Sequence, residues 1–271
     1  MFDGKNGSAK RKALYPGYKA NRKFKIRLNR AVTVDKEDNQ LQQLVRLLDY
    51  LEILPITVIT SDGVEADDVI AYIGEDYLKD KESQVFIMSS DKDFLQLVND
   101  RIHIWSPTKK QLYYTDDVYQ QYGIMPKNFA LFRALIGDDS DNIPGVSGLG
   151  AKTIVSKFPR MNGVEYVSVD EFVEYAKELQ ISNPKSKIYT RVVESEADIR
   201  LFHQIMQLSE SGIPGHTKLR IIDNLQTKVE RLAKIKFHTM LVEDGMSNAI
   251  RNVEFWLKEV TQKLDQFTLQ D

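Results

Sequence analysis

The sequence predicts an α/β fold with a mostly parallel sheet flanked by helices in its first half and a helical second half. Three observations predict it. Short apolar runs at 56–59, 85–88 and 102–105 alternate with helical apolar periods. A glycine-rich turn at 145–150 joins two helical stretches, and from there onward the apolar spacing is almost wholly helical.

Taken in order, apolar residues at 41, 44, 45, 47, 48, 51 and 54 give 39–54 a helical period that Pro55 stops. Residues 56–59 (Ile-Thr-Val-Ile) read as a short buried strand, and 64–78 as a helix with Glu65, Asp67 and Asp68 in its first turn. Residues 85–88 form the next strand, running into Ser89-Ser90-Asp91-Lys92-Asp93. A short helix at 94–98 leads to a strand at 102–105. Pro126 opens a helix reaching Ile136, and 151–158 is another after the glycine turn. Further helices are expected around 168–180, 194–210, 227–243 and 247–267. The change of character near 125 suggests two regions, 1–125 and 126–271.

The 271 residues suffice for one large domain or two small ones, and 42% hydrophobic with 28% charged residues is an ordinary globular balance. No apolar run approaches the roughly 20 residues of a membrane helix. The opening segment, rich in Lys and Gly, does not read as a secretory signal. The absence of cysteine removes disulfides, thiolate metal sites and cysteine nucleophiles, and fits a cytoplasmic setting. Four histidines without ligand spacing argue against a zinc hydrolase, which leaves hard oxygen ligands as the metal chemistry. The net charge of −2 hides an asymmetry: residues 1–30 hold ten Lys or Arg and one acid, Asp3, so the remainder carries −11. Such a basic head on an acidic body suits phosphate binding in one place and metal binding in another. It reads equally as a solvated tail.

The carboxylates Asp3, Glu65, Asp67, Asp68, Asp91, Asp93, Asp138 and Asp141 all stand near expected element ends. Each group has an ordinary reading too: helix-dipole acids for 65–68, an N-cap for Asp91, turn residues for 138–141. Together they point to a cation. Acids converging at strand ends repel and raise one another's pKa unless something positive neutralises them. Magnesium takes few direct carboxylates and keeps its waters, so a surplus of acids suggests two ions. Two ions about 3.5–4 Å apart serve phosphodiester hydrolysis.

Gly145, Gly148, Gly150 and Lys152 form a glycine turn opening a helix, the pattern of a helix-hairpin-helix that grips a DNA backbone without reading its sequence. The GK[ST] ending of a Walker loop is absent. In the basic head, Tyr15 and Tyr18 are interleaved with Lys19, Arg22 and Lys23, which suits stacking on unpaired bases. Core packing of both rings is the other reading.

These residues carry a resemblance. The segments 2–5 (Phe-Asp-Gly-Lys), 14–22, 63–68, 90–93 and 137–145 (Gly-Asp-Asp-Ser-Asp-Asn-Ile-Pro-Gly) resemble, in order, the motifs of the 5′ nucleases, the flap endonucleases and 5′–3′ exonucleases that accompany DNA polymerases. Residues 105–107 and 241–247 look closer to the phage RNase H type. The resemblance implies a PIN-like sheet, with Asp3, Glu65 and Asp67 on a first metal ion and Asp68 nearby. Asp91, Asp93, Asp138 and Asp141 would hold a second. It places Lys19 and Arg22 beside the scissile phosphate, Tyr18 as a stacking ring, and the segment after them in an arch that passes a 5′ single strand. Gly145, Gly148 and Gly150 would hold duplex DNA, with a potassium ion at the hairpin. In this family a strand bearing a further aspartate, a helix and a second strand precede the Phe-Asp-Gly segment, so the first strands are expected to be missing here.

The expected function is therefore that of a structure-specific, two-metal 5′ nuclease using Mg2+, with Mn2+ able to substitute, on DNA flaps, free 5′ ends or RNA–DNA hybrids. It would act as a monomer in replication or repair, beside replication proteins. The alternative is a catalytically impaired fragment that binds branched DNA or complements a separate N-terminal piece. A sequence-tolerant RNase of the PIN type would lack the hairpin and arch.

Overall fold

The structure, a computed structural model, describes residues 1–22, 35–80, 82–208, 212–264 and 268. In chain order the elements are β1 (Phe2–Asp3), α1 (Ala9–Leu14), α2 (Lys36–Glu52), β2 (Thr60–Ser61), α3 (Ala66–Tyr72), β3 (Val85–Met88), β4 (Ile102–Ser106), β5 (Gln111–Tyr113), α4 (Thr115–Tyr122), α5 (Phe129–Ile136), α6 (Ala151–Lys157), α7 (Val169–Ser182), α8 (Lys187–Glu194), α9 (Glu196–Met206), α10 (Gly215–Gln226), α11 (Lys234–Glu243) and α12 (Val253–Leu264). Short 3-10 turns at Lys92–Leu97, Pro126–Asn128 and Asp139–Asp141, and a π-helical turn at Ile73–Tyr77, connect several of them.

The described residues fall into two compact units. One comprises Met1, Asp3–Arg22 and Ser61–Pro214. Its sheet has the order β3-β4-β5. β3 and β4 run parallel with Val85 opposite Ile102 and Ile87 opposite Ile104, while β5 returns antiparallel with Tyr113 opposite Ile104. Period-two alternation puts Ile87, Ile102 and Ile104 in the core and leaves Phe86 and Met88 exposed. β1 and β2 form a separate two-stranded sheet.

At the centre of this unit lies α5, whose residues 129–135 are all buried, so its apolar run needs no amphipathic face. Phe94, Phe129, Phe132, Phe158 and Phe172 fill the same core. The helices around it have conventional ends. Gly123 closes α4 in the left-handed region at φ +70, with its N–H donating to the Tyr119 carbonyl. Ser168 and Glu171 form a reciprocal capping box on α7.

The second unit comprises Phe2 and the described residues of 23–60 and 215–271. Ile53, Leu232, Phe237, Met240, Leu241 and Leu257 form its core. Arg46 of α2 binds Asp244 at 2.9 Å and Glu243 at 2.9 Å, and Tyr50 donates to Asp244 at 2.8 Å, which ties α2 to the end of α11. Asp35 caps α2 by accepting from the Glu37 and Asp38 N–H groups.

Several expectations need correction. A division near residue 125 is not where the units part, because α5 packs on the 3-10 turn after β3 and shares one core with the sheet. The strand expected at 56–59 is replaced by β2 at Thr60–Ser61; Ile59 still accepts a hydrogen bond from the Phe2 N–H. The helix expected at 39–54 begins at Lys36, and Leu41, Leu44, Val45 and Leu47 on it are exposed. The helix expected at 194–210 is α9, shorter at both ends, and α8 at Lys187–Glu194 precedes it unanticipated. Residues 227–233 are not helical, the helices there being α10 and α11. β5 and α4 were not anticipated, since their apolar positions are too few to carry a period.

Phe132→Ala should destabilise the protein by about 3–5 kcal/mol in denaturant unfolding, because a fully buried ring leaves a cavity in a shared core. The hydrogen bonds from Arg46 hold the Asp244 carboxyl below its usual range. Its contribution to stability is therefore complete above the ordinary carboxylate pKa and lost as pH falls through the lower folded value. Asp244→Asn should flatten that part of the acid limb in melts recorded across the acid range.

Candidate active site

The acids are delivered by local structure. Asp91 follows β3 directly and caps the next turn, accepting from the Asp93 N–H at 2.9 Å. Asp93 then sits in the first turn of that 3-10 segment. Glu65 stands at the start of α3, with Asp67 and Asp68 in its first turn. Asp3, at the end of β1, accepts from the Ala66 N–H at 2.7 Å, so β1 ends against the start of α3.

Asp138 and Asp141 belong to a tight turn after α5, closed by paired bonds between Asp138 and Ile143. Two glycines make it possible. Gly137 (φ +80) and Gly145 (φ +64) cross so closely that a Cβ on the first would lie 2.5 Å from the Ile143 carbonyl oxygen, and a Cβ on the second 2.5 Å from the Gly137 nitrogen.

The turn at 15–22 is zipped onto this one. Tyr15 donates to the Asn142 carbonyl, the Asn142 amide donates to the Gly17 carbonyl at 2.8 Å, and the Lys19 N–H donates to the Asp141 carbonyl at 3.0 Å. Lys19 and Asn142 both take left-handed backbone to do so. This seam brings Lys19 and Arg22 to the acids.

Four cations meet them there. Arg11 reaches from α1 to bind both oxygens of Asp68, at 2.6 and 2.7 Å, and Glu65 at 2.9 Å, while its Nε donates to the Ile205 carbonyl. Lys19 Nζ binds the other oxygen of Glu65 at 2.8 Å, and the Tyr18 hydroxyl donates to Glu65 at 3.0 Å. Arg133, in the last turn of α5, binds Asp93 at 2.8 Å and also Asp138. Arg22 binds Asp141 at 2.5 Å.

Asp3, Asp67 and Asp91 have no cation partner among the described residues. The consequence shows at Asp67. Burial, followed by the charges of Asp91, Glu65 and Asp3 against the opposing pull of Lys19, pushes its carboxyl up to about 7. Burial likewise lifts Asp93 to about 6 despite Arg133, with Asp91 and Asp138 adding to the rise. Burial also acts to raise Asp138, but the Ser140 hydrogen bonds and Arg133 outweigh it and leave the group below its usual value.

The acids named from the sequence are thus brought into one electrostatic neighbourhood. Among the described residues, no three stand close enough as placed to chelate one ion. Two assignments change. Asp68 turns both oxygens to Arg11 and is a buried counter-ion, not an open ligand. Tyr18 is 4% exposed, packed with Ala134, Ile143 and Phe202, so it offers no ring for stacking; the core reading of the tyrosines was right for it. Lys23 and the first part of the expected arch lie outside the described residues.

The glycine turn of residues 145–150 has an inner and an outer side. Val146 and Leu149 are buried anchors, whereas Gly148, Gly150 and Lys152 are exposed. Arg191 of α8 supports the turn, donating to the Ser147 carbonyl at 3.3 Å. Sequence reasoning missed Arg11, Arg133 and Arg191. Arg11 was hidden in a basic run, and only Arg133, five residues before Asp138 in an otherwise apolar helix, carried a visible signal.

Comparison with known proteins gives consistent matches. Residues 1–123 match the family model "5′-3′ exonuclease, N-terminal resolvase-like domain". A 5′-3′ exonuclease of Aquifex aeolicus is 27% identical over 265 residues, covering 97% of this chain and 80% of the relative. A 5′-3′ exonuclease of Buchnera aphidicola subsp. Schizaphis graminum is 33% identical over 158 residues, 58% of this chain; the match spans only 53% of that relative's length. Among solved structures, a T5 protein co-crystallised with metal ions is 26% identical with TM-score 0.60, covering 83% of this chain and 81% of that one. A bacteriophage T5 flap endonuclease in complex with DNA and metal ions, 24% identical with TM-score 0.63 over the same shares, has the same fold.

Arg133→Met should destabilise the protein by about 2–3 kcal/mol in denaturant unfolding, because it leaves the partly buried Asp93 and Asp138 carboxylates without their shared cation. A change under about 0.5 kcal/mol would refute the clamp, since that is the scale of an unremarkable surface substitution.

Proposed function

We propose that this chain, which belongs to the 5′ nuclease family and has its PIN-like α/β fold, hydrolyses DNA phosphodiesters at free or flapped 5′ ends with two divalent cations. One observation carries the reading. Eight acids (Asp3, Glu65, Asp67, Asp68, Asp91, Asp93, Asp138, Asp141) face four paired cations (Arg11, Lys19, Arg22, Arg133), an excess of four negative charges. With all eight ionised that excess equals the charge of two divalent ions, whose binding would favour the ionised forms of the raised Asp67 and Asp93. The elevated Asp67, without a protein cation of its own, is the group such an ion would relieve.

Asp3, Glu65 and Asp67 are the residues we assign to one ion, and Asp91, Asp93, Asp138 and Asp141 to the other. Hard carboxylate oxygens with no sulfur or imidazole among them suit magnesium or manganese. When bound, such ions supply activation of water and stabilisation of charge on the phosphate oxygens.

The chain's own residues do the rest. The seam between the 15–22 and 140–142 turns fixes where Lys19 and Arg22 stand, so their charges can meet the phosphate without reorganising the backbone. Arg11 and Arg133 hold carboxylates from behind and keep them from rotating away. The backbone of Gly148 and Gly150, exposed together with Lys152, would contact duplex phosphates without reading bases. RNA–DNA hybrids, as substrates with the same backbone chemistry, and a potassium ion at the hairpin belong to the same proposal.

The test uses 5′-labelled flap DNA. Asp67→Asn should lower the cleavage rate by about 100-fold or more in Mg2+ or Mn2+, while gel-shift affinity for the same DNA in EDTA stays near wild type. Cleavage by this variant at the wild-type rate would sink the assignment, as would wild-type protein that shifts the flap but cuts nothing with either ion.

A further inference from the structure

The four cations around the acids fall into two kinds. Arg11 and Arg133 are buried, and each is tied to the backbone as well as to two carboxylates: Arg11 to the Ile205 carbonyl at 2.7 Å, Arg133 to the Gly137 carbonyl at 3.5 Å. Arg11 cannot leave without stranding the buried Glu65 and Asp68, nor Arg133 without stranding the partly buried Asp93 and Asp138.

Lys19 and Arg22 are held differently. Lys19 is nearly as enclosed as the two arginines, with Nζ 4.8 Å from the Tyr18 ring centroid. Among the described residues, however, its flexible stem makes one ion pair, to a Glu65 that keeps Arg11 and the Tyr18 hydroxyl when the ammonium leaves. The Arg22 side chain is 48% exposed, and besides Asp141 it makes one long 3.4 Å bond from Nε to the Ser140 carbonyl. Their backbones are fixed independently, by Lys19 N–H to the Asp141 carbonyl and Arg22 N–H to the Lys19 carbonyl. Either side chain can therefore swing away while the turn stays closed. The carboxylates they cover, Glu65 and Asp141, are one from each group of acids.

We propose that Lys19 and Arg22 are exchangeable internal counter-ions, which neutralise Glu65 and Asp141 in the cation-free protein and surrender them to divalent ions. The exchange deepens the two-cation reading above, on which it rests. A divalent ion outcompetes a single positive charge at the same carboxylate, and each displaced side chain becomes free for a phosphate. Arg11 and Arg133 do not exchange. The protein thus holds its acids together without metal, and its phosphate-binding cations become available only when metal arrives.

The linkage is reciprocal: a side chain that competes with the ion weakens ion binding, so removing it strengthens binding. Mn2+ titration followed by the electron paramagnetic resonance of free Mn2+, without DNA, should show Lys19→Met and Arg22→Met each binding about three- to tenfold more tightly than wild type. Lys92→Met removes a positive charge from between Asp91 and Asp93 but breaks no ion pair among the described residues, and should change affinity by less than about twofold.

A direct readout accompanies it. The Lys19 ammonium, paired with a buried carboxylate, should give a protected nitrogen–proton resonance in EDTA that disappears when Mg2+ is added. A resonance that persists in Mg2+-saturated protein, or Mn2+ affinity that is unchanged or weaker in both variants, overturns the exchange while leaving the two-cation reading intact. Wild-type protein that binds no Mn2+ overturns both.

Discussion

Like charge held at close quarters is the constraint from which most of the sheet-bearing unit can be understood. Asp67 feels Asp91, Glu65 and Asp3; Asp93 feels Asp91 and Asp138; Tyr18 lies within reach of both Glu65 and Asp141. That continuous field draws together segments far apart in sequence. Arg11 joins α1 to the start of α3, Arg133 joins the end of α5 to the turn after β3, and Lys19 and Arg22 join the basic head to both groups. The ion pairs that compensate the acids are also the tertiary links of the unit, so site and fold share the same interactions.

Burial sets how much each link matters. An exposed pair is worth about 0–1 kcal/mol, whereas removing one partner of a buried pair costs about 3–5 kcal/mol through the charge left behind. By that measure the Arg11 and Arg133 clamps are structural commitments, and the half-exposed Arg22 pair is not. The Lys19 pair is also enclosed, and it differs from the clamps in that Glu65 keeps Arg11 and Tyr18 as partners without it. The glycine crossing at 137 and 145 belongs with the fixed set, since a tight turn is what aims Asp138 and Asp141 in common with Arg133 and Arg22.

How far the site could be read in advance depended on whether a residue's role is local. Asp91 reads both as an N-cap and as a candidate ligand, and the structure shows the cap directly, since capping needs only the next two residues. The helices α5, α6 and α7 were visible from their periods and ends. Asp68 and Tyr18 were not legible in this way. What removes Asp68 from the open acids is Arg11, 57 positions earlier, and what buries Tyr18 is Phe202 and its neighbours on α9. The separate helix α8 ahead of α9 also escaped periodicity, because Ser195 parts the two without proline or glycine.

By itself the sequence determined the inventory: eight acids at element ends, a basic head, a glycine hairpin, and strand–helix alternation that delivers them, all encoded in short-range spacing. Only the tertiary structure decided the pairing. Which carboxylates are neutralised by protein and which have no cation partner among the described residues depends on long side chains reaching across the fold, and a carboxylate's identity says nothing of the partner it will meet. The same holds for the compact units, whose limits at 22, 61 and 214 follow shared cores and not any break in composition.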